Sequence, residues 1–401
     1  MKLAYFGTPH TGGTYTVYHA LRVGLAPFGV AVTWIGVGPQ AQAAFDSQQW
    51  AHEREHGVVI AGRIDDDRLQ AEAFIYYLES SDFDGVFVNV LAGRVETNAI
   101  RYLAPAIKRV MIVHNITPGT YAAARAVRDH VHATIGVSPR IRNDLIKSHG
   151  FQDEYTHVIP NAIDLQSFNV PRVERQHDAP LRVLFLGRVV DTDKGVFWLP
   201  QIMSKLSPIA VQLTVVGEGP DMAELQKRCA AMADRFTFTG RIAPDEVPGM
   251  LAFHDAFIFP SRFEGLGLSL VEAMAAGCVP VATRLKNVTD FVVTDGRDGF
   301  LFPMGDMAAA AAAVERLALE PATLARMSLA AKQSVKGRFE LANMAQAYKA
   351  LIDAVMLQPR PLAQALPMHR WNYPEGLRRG LRSRLPAGVK NVLRRLRERF
   401  A

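Results

Sequence analysis

The stretch from Phe259 to Ala282, FPSRFEGLGLSLVEAMAAGCVPVA, concentrates residue types that can hold an anionic ligand. An apolar run ends, a turn punctuated by Gly265 and Gly267 follows, and a helix is expected to begin near Leu268. Glu264 falls in the turn and Glu272 about one helical turn inside the helix, so both carboxylates can address one extended ligand near the helix N-terminus. Gly265 and Gly267, on either side of Leu266, allow the backbone to approach that ligand closely. The free amides of the first turn make an anion site suited to a diphosphate. The plainer alternative is that both acids only complement the helix dipole.

Positioning such a turn requires a strand before it and a helix after it, and the chain repeats this arrangement. Short apolar runs at Lys2–Phe6, Val30–Ile35, Gly85–Val90, Val110–Val113 and Ala133–Val137 alternate with amphipathic segments. A second series runs through Leu181–Leu186, Gln212–Val216, Phe236–Thr239, Ala256–Phe259 and Val279–Ala282. This alternation predicts an α/β chain with two doubly wound, parallel-sheet, Rossmann-like domains. The polar, proline-bracketed NVPRVERQHDAP at Asn169–Pro180 reads as the linker between them. The expected division is 1–170, 171–357 and a tail over 358–401. Open parallel sheets bind ligands beyond the carboxyl ends of their strands, so two facing sheets would share one cleft. Gly12 and Gly13 follow the opening strand, but the position where a phosphate-binding P-loop needs lysine holds Gly13. Gly217-Glu218-Gly219 has Met222 in place of the third dinucleotide-binding glycine, which argues against a nicotinamide dehydrogenase.

Taken together, these stretches resemble the retaining glycosyltransferases of the GT-B fold, particularly the large family four with its E-x7-E signature. LFLGRVVDTDKGV at Leu184–Val196 is similar to the family's strand, Gly-Arg turn and Lys-Gly helix start. LTVVGEGP at Leu213–Pro220 is similar to its next strand and turn, and VIPNAIDLQSF at Val158–Phe168 to the segment closing the first domain, with Ala162 where glycine is usual. The resemblance implies that Arg188 and Lys194 hold the donor diphosphate, that Glu272 accepts hydrogen bonds from the ribose hydroxyls, and that Glu264 faces the donor sugar. It places Gly12 and Gly13 in a loop touching donor and acceptor, and His114, after the strand in MIVHN, near the reacting sugar. Asn115 stands where the family often has aspartate. Arg241 with Gly240 is a candidate for base contacts, and Arg125, Arg128 and His130 are acceptor-side candidates, surface charge being the plainer reading. The chemistry agrees, because two cations and helix amides stabilise the charge of a departing nucleoside diphosphate.

Composition narrows the partners. With 401 residues, 49 % hydrophobic and 21 % charged, the chain is long and apolar enough for a buried core. Only Cys229 and Cys278 occur, so a disulfide framework is absent and a reducing cytoplasm is the expected setting. The net charge is +6, yet 370–401 holds nine arginines and Lys390 against Glu375 and Glu398, a net of +8 that leaves −2 for the rest. No nucleic acid is expected as a partner of that body. Val389, Val392, Leu393, Leu396 and Phe400 recur at helical spacing among basic residues, a pattern that fits peripheral contact of 370–401 with the inner face of the cell membrane. Asp65 to Asp67 look like helix caps, and Asp191 and Asp193 share a loop with Arg188 and Lys194, so neither D-x-D pair is read as a metal site. The expectation is a metal-independent enzyme without a cofactor that moves a hexose-type sugar from a UDP- or GDP-sugar donor to a glycan or lipid-linked acceptor in surface polysaccharide or glycolipid assembly. The rival readings are a same-fold epimerase or phosphorylase, or a silent carbohydrate-binding scaffold.

Overall fold

The computed structural model describes residues 1–378 apart from 11, 91–92, 177 and 207–208. Its described residues divide into two compact units, Met1–Ala162 together with 341–378, and Ile163–Glu340.

The first unit is built on seven strands, β1 (Lys2–Phe6), β2 (Ala31–Val37), β3 (Gly57–Ile60), β4 (Gly85–Asn89), β5 (Lys108–Val113), β6 (Ala133–Gly136) and β7 (Thr156–Val158). They lie in the order β3-β2-β1-β4-β5-β6-β7, and every pairing is parallel. Helices cover both faces, so the central strands are apolar throughout, and all of β4 is buried. The second unit carries β8 (Leu181–Leu186), β9 (Val211–Val216), β10 (Phe236–Gly240), β11 (Ala256–Phe259), β12 (Val279–Thr283) and β13 (Phe300–Phe302). Their order is β10-β9-β8-β11-β12-β13, again wholly parallel. Its core joins β8, β9 and β11 to the helices Trp198–Lys205 and Met307–Leu319 through residues such as Phe185, Ile202, Val215, Ile258 and Val314.

In each sheet the order reverses once, between β1 and β4 and between β8 and β11. A reversal sends the flanking helices to opposite faces and leaves a crevice at the carboxyl ends of the two strands. Strands β3, β7 and β13 were not anticipated. They have only three or four residues, too few to show a period, and β3 and β7 form the two edges of their sheet.

The domain boundaries need correction at the C-terminal side. The sequence reading kept 341–357 with the second domain and treated 358 onward as a tail. Instead, helix Leu341–Leu357 packs on helix Gly13–Leu25 of the first unit, and Tyr348 meets the ring of Phe87 edge-on, with centroids 5.7 Å apart. The described residues after it continue across the first unit as a strap. Arg360 Nε donates to the Val131 carbonyl at 2.8 Å, the Ala363 amide to Asp129 at 2.8 Å, and the Tyr373 hydroxyl to Asp67 Oδ2 at 2.8 Å. The amphipathic helix expected over 389–400 lies outside the described residues. The opening of the expected linker is anchored to the second unit, since Arg172 donates to the carbonyls of His254 (2.8 Å) and Ala276 (3.2 Å). The guanidiniums of Arg172, Arg175 and Arg182 also surround buried Asp255 at 3.7, 3.6 and 2.8 Å.

Candidate active site

The second unit gathers Arg188, Lys194, Glu264 and the start of helix Leu268–Ala276 at its strand-order reversal. Arg188 follows β8, Lys194 ends the single helical turn Asp191–Lys194, and Glu264 lies five residues past the end of β11. The Lys194 ammonium and the Glu264 carboxylate form an ion pair with side chains 24 % and 12 % exposed, a pair that joins the loops following two adjacent strands. Lys194 Nζ also lies 5.7 Å from the centroid of the Phe259 ring. Arg188, 64 % exposed, makes a single contact of 3.4 Å with Asp193 Oδ2, which leaves most of its fork open to an incoming anion.

Backbone geometry brings the two loops this close. Gly195 adopts φ +63°, and a Cβ there would run into the Pro260 carbonyl, so only glycine lets the chain turn beside β11 directly after Lys194. Gly267 caps the next helix at φ 90°, with no side chain capping the first turn. The free amides of that turn therefore face outward with the positive end of the helix dipole. Glu272, in the second turn, is half-buried and faces no cation among the described residues, and burial pushes its carboxyl up to about 7. A desolvated carboxylate without a counter-ion is well suited to hydroxyl donors on a bound ligand.

One organising residue was missed by sequence reasoning. Arg262 is 4 % exposed, and its Nη1 donates to the Asp191 carbonyl and, at 2.7 Å, to Asp191 Oδ2. Its backbone amide donates to the Asp193 carbonyl at 2.7 Å, and its guanidinium lies over Trp198, 4.3 Å from the ring centroid. Asp191 Oδ1 accepts the Phe197 amide at 2.9 Å, and the Asp191 amide donates to Asp221 Oδ2 at 2.7 Å. Arg262 thus clamps the loop carrying Lys194 to the loop carrying Glu264. The only sequence signal for it was an arginine two positions before the glutamate, in a strand-end segment otherwise bound for the interior. Ser261, beside it, is fully buried with its hydroxyl unpartnered.

The remaining candidates lie elsewhere. Arg241 follows β10 and pairs with Glu218 across 3.2 Å, both more than half exposed. Gly12, Gly13 and His114 belong to the first unit, after β1 and β5. Gly13 opens the helix that runs to Leu25, and no side chain caps that helix. His114 is desolvated, which lowers its imidazole to about 4, and its Nε2 is buried without a partner, as is Asn115 Oδ1. Two of the acceptor-side candidates take structural contacts: Arg128 Nη1 donates to His149 O at 2.8 Å, and the His130 carbonyl accepts from buried Arg109 at 3.1 Å. Arg125 is exposed. Asp66, within the first acidic triplet, caps helix Asp67–Ser80 by accepting the amides of Arg68 and Leu69, as the sequence suggested. Among the described residues no group of three or more His, Cys, Asp or Glu side chains could hold a metal ion. No described helix is long and apolar enough to cross a membrane.

Comparison with known proteins supports a glycosyltransferase reading. Residues 180–320 match the family model described as "Glycosyl transferases group 1". A sulfoquinovosyl transferase of Arabidopsis thaliana is 32 % identical over 186 residues, 43 % of this chain and 35 % of that protein. A phosphatidyl-myo-inositol mannosyltransferase of Mycobacterium tuberculosis is 31 % identical over 206 residues, 49 % of this chain and 53 % of that protein. The chain thus spans between a third and about half of the length of these relatives. Among solved structures, Anabaena HepE in complex with UDP and glucose superposes with a TM-score of 0.71 at 18 % identity, covering 88 % of this chain and 100 % of that one. The lipopolysaccharide outer core galactosyltransferase WaaB gives 0.69 at 17 % identity, covering 88 % and 99 %. The fold class is GT-B, with two parallel-sheet α/β units.

Proposed function

We propose that the protein is a retaining glycosyltransferase that takes a hexose-type sugar from a nucleoside-diphosphate donor. The observation that carries this reading is the set at the β8/β11 reversal: a lysine–glutamate pair, an open arginine fork, and a helix with an uncapped start and a desolvated carboxylate in its second turn. In the proposed roles, Arg188, Lys194 and the amides after Gly267 hold the diphosphate, and Gly265, Leu266 and Leu268 line its path. Glu272 accepts the ribose hydroxyls, and Glu264 orients the donor sugar while keeping Lys194 in place. As the bond between the anomeric carbon and the phosphate oxygen breaks, negative charge grows on the diphosphate, where these cations and amides stabilise it. The acceptor hydroxyl attacks on the same face, and the departing phosphate oxygen takes its proton. His114, neutral at working pH, and the Gly12-Gly13 turn serve the reacting sugar in this scheme.

The reading includes no metal and no cofactor. In support, Asp191 is fully engaged by Arg262 and the Phe197 amide, and Asp193 contacts Arg188, so the acidic pair is committed to loop structure. A UDP- or GDP-sugar is the proposed donor, and the UDP in the HepE complex supports the former. A glycan or lipid-linked acceptor in surface polysaccharide or glycolipid assembly is supported by the lipid in the mycobacterial relative's name. Peripheral membrane contact through 370–401 rests on the tail's composition.

The test is a thermal-shift panel of UDP, GDP, ADP, CDP and dTDP on the full chain. One nucleotide is expected to raise the melting temperature, at 100 times its Kd adding about 2.7 kcal/mol of stability. Lys194→Ala should abolish the response. A chain that answers to no nucleoside diphosphate, and forms no glycosidic product with any activated sugar, overturns the proposal.

A further inference from the structure

The first unit holds a polar cavity at the end of its sheet opposite the carboxyl ends of the strands. It has a volume of about 390 Å³, lies at the amino ends of β6 and β7, and is walled on its outer side by the strap through Arg360, Pro361 and Ala363. Arg128, Gln152 and Tyr155 line the inner side.

The donors in this cavity are only partly used. Arg128 spends Nε on Asp129 (3.3 Å) and Nη1 on the His149 carbonyl (2.8 Å). Arg360 spends Nε on the Val131 carbonyl (2.8 Å) and Nη2 on the Arg128 carbonyl. Among the described residues each guanidinium therefore keeps one terminal nitrogen without a protein acceptor. The Gln152 amide side chain and the Tyr155 hydroxyl likewise make no hydrogen bond among the described residues, and Arg360 lies over the Tyr155 ring, 5.0 Å from its centroid. Two arginines face one carboxylate, that of Asp129, so the cavity is net positive.

We propose that this cavity binds a small soluble phosphate ester, with its phosphate between Arg128 and Arg360. One carboxylate is satisfied by one arginine fork, whereas a phosphate has three terminal oxygens and can accept from two guanidiniums at once. The volume is in the lower part of the range of small-molecule sites, larger than a bare phosphate needs and suited to a hexose phosphate. Because the strap supplies Arg360, the bound ester fastens the C-terminal stretch to the first unit. The inference does not depend on the donor site of the second unit.

Isothermal titration of the full chain with glucose 6-phosphate, inorganic phosphate and glucose tests it. Glucose 6-phosphate is expected to bind, inorganic phosphate more weakly, and glucose not at all. Arg128→Gln and Gln152→Glu should each weaken glucose 6-phosphate at least tenfold, and Lys194→Ala should leave it unchanged. Gln152→Glu alters a side chain that holds no part of the fold, so its effect reads charge in the cavity rather than misfolding. Binding that Gln152→Glu leaves intact, binding lost in Lys194→Ala, no binding of either phosphate at millimolar concentration, or binding only to phosphatidylglycerol vesicles overturns the proposal.

Discussion

Removing the Arg262 guanidinium takes away one of the ties between the loop of Lys194 and the loop of Glu264 without touching either residue, leaving the residue 262 amide on the Asp193 carbonyl and the Lys194–Glu264 pair. In Arg262→Ala, Asp191 loses its ion pair at 2.7 Å, and Trp198 loses the cation 4.3 Å from its ring. Breaking a buried pair costs about 3–5 kcal/mol when the stranded charge has no other partner. Here Asp191 keeps the Phe197 amide and is 18 % exposed, so the cost falls to about 2 kcal/mol. The lost cation–π contact adds about 1 kcal/mol. A total of about 3 kcal/mol, in a unit of this size, lowers the melting temperature by about 6–12 °C. The functional consequence is separable from stability: below the new melting point, the variant's thermal response to the nucleotide that stabilises the parent should shrink, because the turn Asp191–Lys194 loses its side-chain anchor and Lys194 is left with its pair to Glu264 alone. Arg262→Lys keeps the charge but not the planar guanidinium stacked over Trp198, and should fall between. Circular dichroism melts with and without nucleotide provide the assay. If Arg262→Ala melts within about 2 °C of the parent and responds equally to nucleotide, the clamp is not what assembles the site.

The other expectations concern charge. Glu264→Gln should lower kcat by about 100-fold or more while the nucleotide response survives, since the donor sugar loses its orienting charge but the amide oxygen can still accept from Lys194 and the diphosphate keeps its cations; steady-state kinetics beside thermal shifts separates the two. Glu272 is raised to about 7, so the folded state holds its proton where the unfolded chain has released it, and stability falls as pH rises from about 4.5 to 7 by at most about 3 kcal/mol. Nucleotide binding should strengthen over the upper part of that window, because ribose hydroxyls donate to the ionised form, and Glu272→Gln should flatten both profiles in melts run from pH 5 to 8. In the first unit, burial lowers His114, His130 and His132 each to about 4. The unfolded chain binds those protons first, so stability present above about pH 6.5 is lost as pH falls toward 4. His114→Gln should relieve part of that loss, and an unchanged acid melt would contradict the buried neutral imidazole. Excess EDTA should leave product formation and the nucleotide response unaltered.

What the sequence determined by itself was local. The strands β1, β8 and β11 were legible to the residue because a parallel strand covered on both faces is a continuous apolar run bounded by turn residues. The turn and helix start from Glu264 to Glu272 were legible because glycine, carboxylate and helix period lie within one short stretch. β13 was not, since three residues after the polar turn Thr294–Gly299 carry too little pattern. The long-range decisions belonged to the tertiary structure. Lys194 meets Glu264 across seventy positions, and Arg262 meets Asp191 across seventy-one, only because β8 and β11 are neighbours at a strand-order reversal. The same holds for the helix Leu341–Leu357. Its amphipathic pattern shows that it buries one face but not which unit receives that face, and the fit of Tyr348 against Phe87 decided it. Periodicity and propensity act over a few residues, whereas pairing between distant loops depends on which surfaces meet once the sheets have formed.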